Sequence, residues 1–377
     1  MNSYVIKDFK SIYPAFLVPQ EDILNWIATM HSEAEAKARS FSEGERRSFH
    51  EEIQMSLHKI GLGKDKIAQR GVHVRDLQMQ DSSLMDVYNM AKHPQGNGLK
   101  AKMDLFAKES DLVFERLYES APLPSHLVHV TCTGYVSPSG AQKLVSKKRS
   151  FTTYVTHAYH MGCYGSLPAL RIASHSLQSK NSCDIVHTEF CTLHMNPLCH
   201  STEQLVIESL FADGFIKYSI SHEDSDSKGF SIEALEEIII PDSVDSMKWQ
   251  CEDWGFGMTL AKDVPIKVAK ALKPYLERLS NKAGISLSSL IQKGYFAIHP
   301  GGPKIIQQIA QLLELSEKQI SHSKEILRTR GNMSSATLPF IWESMLSDNA
   351  IESESYIVSL AFGPGLTISG AIFKKRG

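Results

Sequence analysis

The 377-residue chain has no excess of either charge: 40 Lys and Arg stand against 42 Asp and Glu, a formal net charge of −2. That balance provides no broad attraction for polyanions, so neither nucleic acid nor an anionic membrane is an expected partner. Cysteine is scarce, with 6 residues at 132, 163, 183, 191, 199 and 251. So few in so long a chain do not make a disulfide framework, and free thiols in a reducing cytoplasm are expected. The N-terminus, MNSYVIKDFKSIYPAFLVPQ, lacks the continuous apolar stretch of a signal peptide. No run anywhere approaches the ~20 apolar residues of a spanning helix, so an integral membrane segment is not expected. Low-complexity tracts and long Gly/Ser linkers are missing too, which favours units packed against each other.

What is present is a globular composition, 42% apolar and 22% charged. The length suits two fused α/β units, since single domains run roughly 100–200 residues. The first third reads mostly as helix, with apolar residues at helical spacing in Asp22–Ala36 and Asp104–Tyr118 and a charged stretch at Ser42–Glu51. Short runs rich in Val, Ile, Thr and aromatics then predict strands at Leu127–Thr131, Cys183–Phe190, Phe215–Ser221, Ile232–Ile240, Tyr295–His299, Tyr356–Phe362 and Leu366–Phe373. Helices are expected over Leu167–Gln178, Val264–Ser280, Lys304–Leu315 and Ser335–Leu346. Strand and helix in alternation predict a layered α/β fold. An internal echo, Gly162-Cys163-Tyr164-Gly165-Ser166 against Gly331-Asn332-Met333-Ser334-Ser335, suggests two similar halves, residues 1–222 and 223–377, meeting at one site.

Three residues stand where chemistry could occur. Cys163 precedes the apolar helix LPALRIASHSL; unpaired amides and the dipole at a helix start favour a thiolate, although cysteine is also a common inert core residue. His299 ends the run YFAIH before Pro300-Gly301-Gly302-Pro303. From such a turn an imidazole can reach a cleft, or merely tie the turn to a carbonyl. Asn332 offers an amide donor suited to an oxyanion, while its ordinary role at a helix start is an N-cap. Two sets carry metal-ligand residue types, His157 with His160 and Cys163, and Cys191 with His194, Cys199 and His200. Neither has the paired spacing of a zinc knuckle, and no metal is expected.

Taken together, MGCYGSLPALRIA at Cys163, FAIHPGGPKI at His299, RGNMSSATLPFIWESM at Asn332 and AFGPGLTISG near the C-terminus resemble the type III polyketide synthases, of which chalcone synthase is the best-known plant member. VTCTGYVSPSGAQ, SLFADG and LAKDVP extend the likeness, whereas the N-terminal third matches loosely. The resemblance implies a thiolase-like duplicated αβαβα fold, a homodimer, and Cys163, His299 and Asn332 as the catalytic set. Cys163 would carry the acyl group; His299 and Asn332 would stabilise the enolate formed when a malonyl thioester loses carbon dioxide. Acyl and malonyl thioesters of coenzyme A or an acyl carrier protein would be the substrates, with no cofactor.

By the same resemblance Thr133, Phe211, Trp249, Met258, Ser334, Phe362 and Pro364 would bind substrate. Phe211 matches one of two family gatekeepers and Met258 stands where the second Phe is common. Trp249 replaces a cavity-lining Gly and should limit extension. Pro138 and the surrounding TCTGYVSP look like bacterial alkylpyrone-forming relatives, pointing to a fatty acyl starter and a pyrone or resorcinol product. Lys64 and Lys304 would meet the coenzyme A or phosphopantetheine phosphates, with Lys59, Lys66 and Arg70 as alternative charge. Two other readings are a ketosynthase or acyltransferase joining preformed chains and a non-catalytic partner of an active paralogue.

Overall fold

The computed structural model describes residues 4–60, 62–179, 182–223 and 228–377. From the N-terminus run β1 (Tyr4–Ile12), β2 (Phe16–Pro19), α1 (Gln20–Arg39), α2 (Glu43–Ile60), β3 (Gln69–Val72) and α3 (Leu99–Leu117). Then come β4 (His126–Thr131), α4 (Gly140–Lys147), β5 (Tyr154–Tyr159), α5 (Ser166–Ser176), β6 (Cys183–Phe190), α6 (Thr202–Leu210) and β7 (Asp213–His222). Beyond these lie β8 (Gly229–Ile239), the hairpin β9 (Met247–Glu252) and β10 (Gly255–Leu260), α7 (Val264–Ala283), α8 (Leu287–Lys293) and β11 (Tyr295–Ile298). The chain closes with α9 (Pro303–Leu313), α10 (Glu317–Arg330), α11 (Thr337–Ser347), β12 (Tyr356–Gly363) and β13 (Thr367–Arg376).

Nine of these strands form one sheet, in the order β11-β12-β13-β8-β1-β7-β6-β4-β5. Read outward from the central pair β1 and β8, the two sides repeat a pattern. On one side β7 pairs antiparallel with β1 and β6 with β7, while β4 runs parallel to β6. On the other, β13 pairs antiparallel with β8 and β12 with β13, while β11 runs parallel to β12. The central seam itself is short, Val5 opposite Ser231 and Ile6 opposite Phe230.

The helices α5 and α11 fill the space where the two sides face each other. Leu167, Leu170 and Ala173 of α5 share one buried cluster with Leu338, Ile341 and Trp342 of α11 and with Ile185, Ile216, Ala361 and Phe373 from the strands. All the β6 side chains are buried, so its CDIVHTEF run is apolar or internally bonded on both faces, as a strand sandwiched between helical layers must be. Full burial of each Leu, Ile or Phe side chain contributes about 1.5–3 kcal/mol, which makes this central layer a rigid platform for the turns that precede α5 and α11.

The expected helical character of the N-terminal third requires correction. β1 is a central strand, and its central stretch around Asp8 and Lys10 alternates half-buried and exposed positions between the buried Val5 and Ile6 and the buried Ile12. Polar residues on the open positions mask the strand signal, because a half-buried strand does not need a continuous apolar run. β5 and the β9–β10 hairpin were likewise not foreseen. β5 is an edge strand with Tyr154 exposed, and edge strands carry weak apolar patterning. The run at 295–299 stops as a strand at Ile298, although the His299 amide still donates to the Leu360 carbonyl at 2.8 Å.

Candidate active site

Cys163 lies within a single 3-10 turn, Gly162–Tyr164, directly ahead of α5. Gly162 has φ +74°, and a Cβ there would meet Pro364 Cδ at 2.4 Å; only glycine fits between the turn and the end of β12. On the other side of the centre Gly331 has φ +78°, and the turn Ser334–Ala336 leads into α11. Between them Asn332 is tied by backbone to the segment around Phe211: its amide donates to Leu210 O at 3.1 Å and its carbonyl accepts from Ala212 N at 2.8 Å. The two halves therefore hand Cys163 and Asn332 to the same place.

The asparagine performs both of the roles that its sequence context left open. Its Oδ1 accepts from Ser334 N at 2.9 Å and from Thr337 Oγ1 at 3.3 Å, a cap-like arrangement that fixes the amide plane. With the oxygen so used, Nδ2 is buried and completes no hydrogen bond among the described residues. Both ring nitrogens of His299 are in the same condition, in a residue 1% exposed. Leaving a buried donor unpaired costs about 1–3 kcal/mol. A neutral imidazole has one donor nitrogen and one acceptor, so His299 and Asn332 together hold two unpaired buried donors, a standing deficit that an incoming acceptor would relieve.

Burial dominates the electrostatics. It pushes the Cys163 thiol up to about 12, and the protonated Sγ donates to Ser334 Oγ at 3.9 Å. The helix-start lowering expected from the sequence does not prevail, because α5 begins only at Ser166 and the thiol is out of solvent. Burial also drives His299 down to about 3, so its resting imidazole is neutral.

Behind the thiol, Glu189 is buried and gathers the Cys132 amide, the Thr133 hydroxyl and the Ser335 hydroxyl. Burial raises its carboxyl above the ordinary value despite these donors.

A narrow cavity of about 40 Å³ opens in front of Cys163. Its wall includes Thr133, Phe211, Trp249, Met258, Ser334 and Pro364. Phe362 is not part of this wall; it packs in the apolar cluster with Ile298 and Leu360. Trp249 is turned inward and pinned there, its Nε1 donating to Cys132 O at 2.6 Å.

His194, which the sequence offered only as a metal-type ligand, is also in the wall. The Phe256 amide donates to its Nδ1 at 3.1 Å, so Nε2 carries the hydrogen donated to Thr133 O at 2.8 Å. Among the described residues no three His, Cys, Asp or Glu side chains converge as a metal-binding group.

The expected phosphate contacts are spread more widely. Lys64 and Lys304 are exposed, as is Lys59, and none of them lines a cavity described here. Next to Lys64 and Lys304 a cleft of about 630 Å³ is lined by Lys66, Lys318, Lys324 and Arg328 together with Asp65, Glu317 and Glu325. Arg70 is wholly buried: its Nε donates to Gln20 Oε1 at 2.9 Å and its Nη1 to the carbonyls of Glu208 at 2.7 Å and Phe211 at 2.6 Å. It holds the backbone at Glu208 and Phe211 and is not available to a phosphate at the surface.

This architecture, two similar β/α halves joining at a Cys turn and an Asn turn, is a thiolase-type layered fold. The chain is similar to the chalcone synthase-like type III polyketide synthases. Residues 232–375 match the chalcone and stilbene synthases, C-terminal domain. The type III polyketide synthase pspB of Penicillium soppii is 29% identical over 295 residues, covering 69% of this chain and 73% of that protein. A putative chalcone synthase of Bacillus subtilis is 28% identical over 255 residues, covering 65% and 68%. Probable polyketide synthase 1 of Dictyostelium discoideum is 29% identical over 257 residues, 66% of this chain but 8% of that far longer protein.

Among solved structures, the C-terminal type III polyketide synthase domain of Steely1 from Dictyostelium superposes with a TM-score of 0.83 at 22% identity, covering 100% of both chains. The 1,3,6,8-tetrahydroxynaphthalene synthase of Streptomyces coelicolor gives 0.77 at 19%, covering 99% of both. At such identities these structures speak for the fold alone. No helix among the described residues is long and apolar enough to cross a membrane.

Proposed function

We propose that this protein condenses a malonyl thioester, with loss of carbon dioxide, onto an acyl group carried by Cys163. The observation that carries the proposal is the set of buried, unpartnered nitrogens on His299 and Asn332. In this reading the Cys163 sulfur takes the acyl group from its thioester, and the proton of the Cys163 thiol leaves on the departing sulfur, so that a free thiol is released. A malonyl thioester then binds with its carbonyl oxygen at the His299 and Asn332 donors. Loss of carbon dioxide leaves an enolate whose oxygen is held by those same donors, and its carbon attacks the Cys163 acyl carbonyl. A carbon–carbon bond forms, the carbon–sulfur bond breaks, and the Cys163 thiolate is returned. Donors already desolvated and fixed need no reorganisation as the charge develops. Thioester chemistry of this kind needs no cofactor.

A fatty acyl starter fits the wall contributed by Met195, Ile207, Met247 and Met258, whose thioethers can repack around a chain. The inward Trp249 favours few extensions, and a short pyrone or resorcinol suits that limit. Coenzyme A would lie over the cleft at Lys66, Lys318, Lys324 and Arg328, beside Lys64 and Lys304. Self-association through the β5 edge is supported by Tyr135, Phe151 and Tyr154, which are 67%, 76% and 60% exposed. Light scattering should then give a dimer mass.

The test is incubation of the wild type and Cys163→Ala with malonyl-coenzyme A and a panel of fatty acyl-coenzyme A starters, with mass spectrometry of the products. The expected result is products heavier than the starter by whole ketide units, absent from the variant. Product formation undiminished in Cys163→Ala would overturn the proposal. Trp249→Ala should lengthen the product by at least one unit; an unchanged product would remove Trp249 as the limit.

A further inference from the structure

On the far side of the cavity a chain of four side chains runs from the wall to the surface. Glu208, on α6, belongs to the cavity lining. Its Oε2 lies 2.7 Å from His31 Nε2, while Oε1 accepts from Asn196 N at 2.7 Å and Gln204 Nε2 at 3.1 Å. The other nitrogen of His31 faces His200, with the two Nδ1 atoms 2.9 Å apart. His200 Nε2 in turn lies 3.0 Å from Glu35 Oε2. Glu35 ends the chain at Arg39, whose Nε is 2.5 Å from Oε1 and whose side chain is 70% exposed.

Counting hydrogens shows what this arrangement requires. Two neutral imidazoles carry one N–H each, and two carboxylates carry none. The three contacts Glu208–His31, His31–His200 and His200–Glu35 each need a hydrogen between their atoms. Without one, two Nδ1 lone pairs or a nitrogen lone pair and a carboxylate would face each other at hydrogen-bonding distance. The row is therefore complete only with one proton beyond what two neutral imidazoles supply. If that proton sits on Glu35, the hydrogens lie on His31 Nε2, His200 Nδ1 and Glu35. Shifting each across its own hydrogen bond places them on Glu208, His31 Nδ1 and His200 Nε2. A proton has then passed from the rim to the cavity wall with no side chain moving.

We propose that Glu35, His200, His31 and Glu208 form a relay that delivers a proton from solvent to the reaction cavity. The inference rests on the condensation reading for its consumer. Acyl transfer to Cys163 spends the thiol's own proton on the departing sulfur, decarboxylation leaves one carbanion, and condensation uses the carbanion while returning Cys163 as a thiolate. Each extension thus consumes one proton, which restores the Cys163 thiol, and the narrow cavity in front of the buried thiol needs a route for it. Glu208 is the residue that reaches the cavity; His31, His200 and Glu35 act through it as positioning residues. The charged and polar neighbours that act on Glu208 are Arg70, Lys102 and Tyr88, all buried, and Arg39 is paired with Glu35. The Phe49 ring packs edge-on against His200 at 5.0 Å.

Two variants and one activity-independent measurement test the relay. In His31→Gln the link is cut in the interior; in Glu35→Gln the entry acid beneath the exposed Arg39 is replaced by its isosteric amide, and circular dichroism of both variants guards against a folding failure. Both should slow multiple turnover, by about 100-fold for His31→Gln, the low end for a positioned proton donor. The loss should grow from pH 6 to pH 9, as bulk acid becomes scarce, while the first acyl adduct on Cys163 forms at the wild-type rate by intact mass. In the wild type, nitrogen NMR should show a coupling across the hydrogen bond between the two Nδ1 nuclei. A loss independent of pH, no loss in either variant, or the absence of that coupling would overturn the relay. Failure of the wild type to release carbon dioxide would instead sink the condensation reading, with the coupling still deciding the state of the relay.

Discussion

The turn at Cys163 and the turn at Asn332 are built alike and used differently. Each starts at a glycine of positive φ, 162 or 331, and each leads through a short 3-10 turn into a helix of 11 residues with Leu-Pro in its first turn, Leu167-Pro168 or Leu338-Pro339. In the first turn the reactive atom is a thiol, which burial keeps protonated and Ser334 accompanies. In the second it is an amide nitrogen whose own oxygen is locked to Ser334 and Thr337. A shared scaffold thus presents a buried thiol from one side and an unpaired donor from the other. What differs is which atom each turn leaves unsatisfied.

The largest effect should follow from removing the nucleophile. Cys163→Ala is expected to leave condensation undetectable with the fold intact by circular dichroism, since the side chain is small and the neighbouring turn is held by glycine and proline. Appreciable product from that variant would break the division of roles between the turns. Asn332→Ala should come next. Removal of one preorganised oxyanion donor lowers kcat about 10²–10³-fold, and the variant should still form the Cys163 acyl adduct. A variant that lost adduct formation and condensation together would place Asn332 with the nucleophile instead.

Much of this centre could be read from the sequence, and the reasons are local. Glycine beside a chemically able residue and a following amphipathic helix mark both turns, and β-branched runs mark β4, β6 and β12. What could not be read is satisfaction. That His299 and Asn332 are left without partners is a property of the packed interior, and no spacing encodes it. Arg70 looked like surface charge in KDKIAQR, yet it is buried under the segment around Phe211 because the Glu208 and Phe211 carbonyls need a donor. Glu208 and its relay gave no motif, since His31 and His200 lie 169 positions apart. The one available sign was a carboxylate on the apolar side of TEQLVIESLF, where a buried charge demands a partner.

The glycines give a smaller test of the same symmetry. An alanine forced into the left-handed region costs roughly 1–2 kcal/mol. Gly331→Ala should lose about that much by urea unfolding, with some addition from Ala212 Cβ and Arg70 Cγ, each 2.9 Å from the new Cβ. Gly162→Ala should lose more, because the atom it meets at 2.4 Å belongs to the stiff ring of Pro364. Equal losses would mean that the backbone alone decides, and a larger loss at 331 would show that the Asn332 turn is the more tightly packed of the two.

The smallest effect concerns the strut between the turns. His187, from β6, reaches Ser335 Oγ with Nδ1 at 3.0 Å and Tyr218 with Nε2 at 3.2 Å. Ser335 already donates its hydrogen to Glu189, so Nδ1 must carry the hydrogen and Nε2 must accept from Tyr218. Protonating Nε2 would set two donors against each other. Burial lowers this imidazole to about 3. The folded protein therefore binds no proton here between about pH 6.5 and pH 3, while the unfolded chain does. The sign follows: this part of the stability is present above pH 6.5 and falls as the pH drops, by about 1.4 kcal/mol per unit. Urea unfolding of the wild type and His187→Gln between pH 6 and pH 4 should show the variant less stable at pH 6 but with a shallower acid slope, by one proton. Parallel slopes would mean that His187 takes up its proton in the folded state, and that the strut between the two turns yields before the protein unfolds.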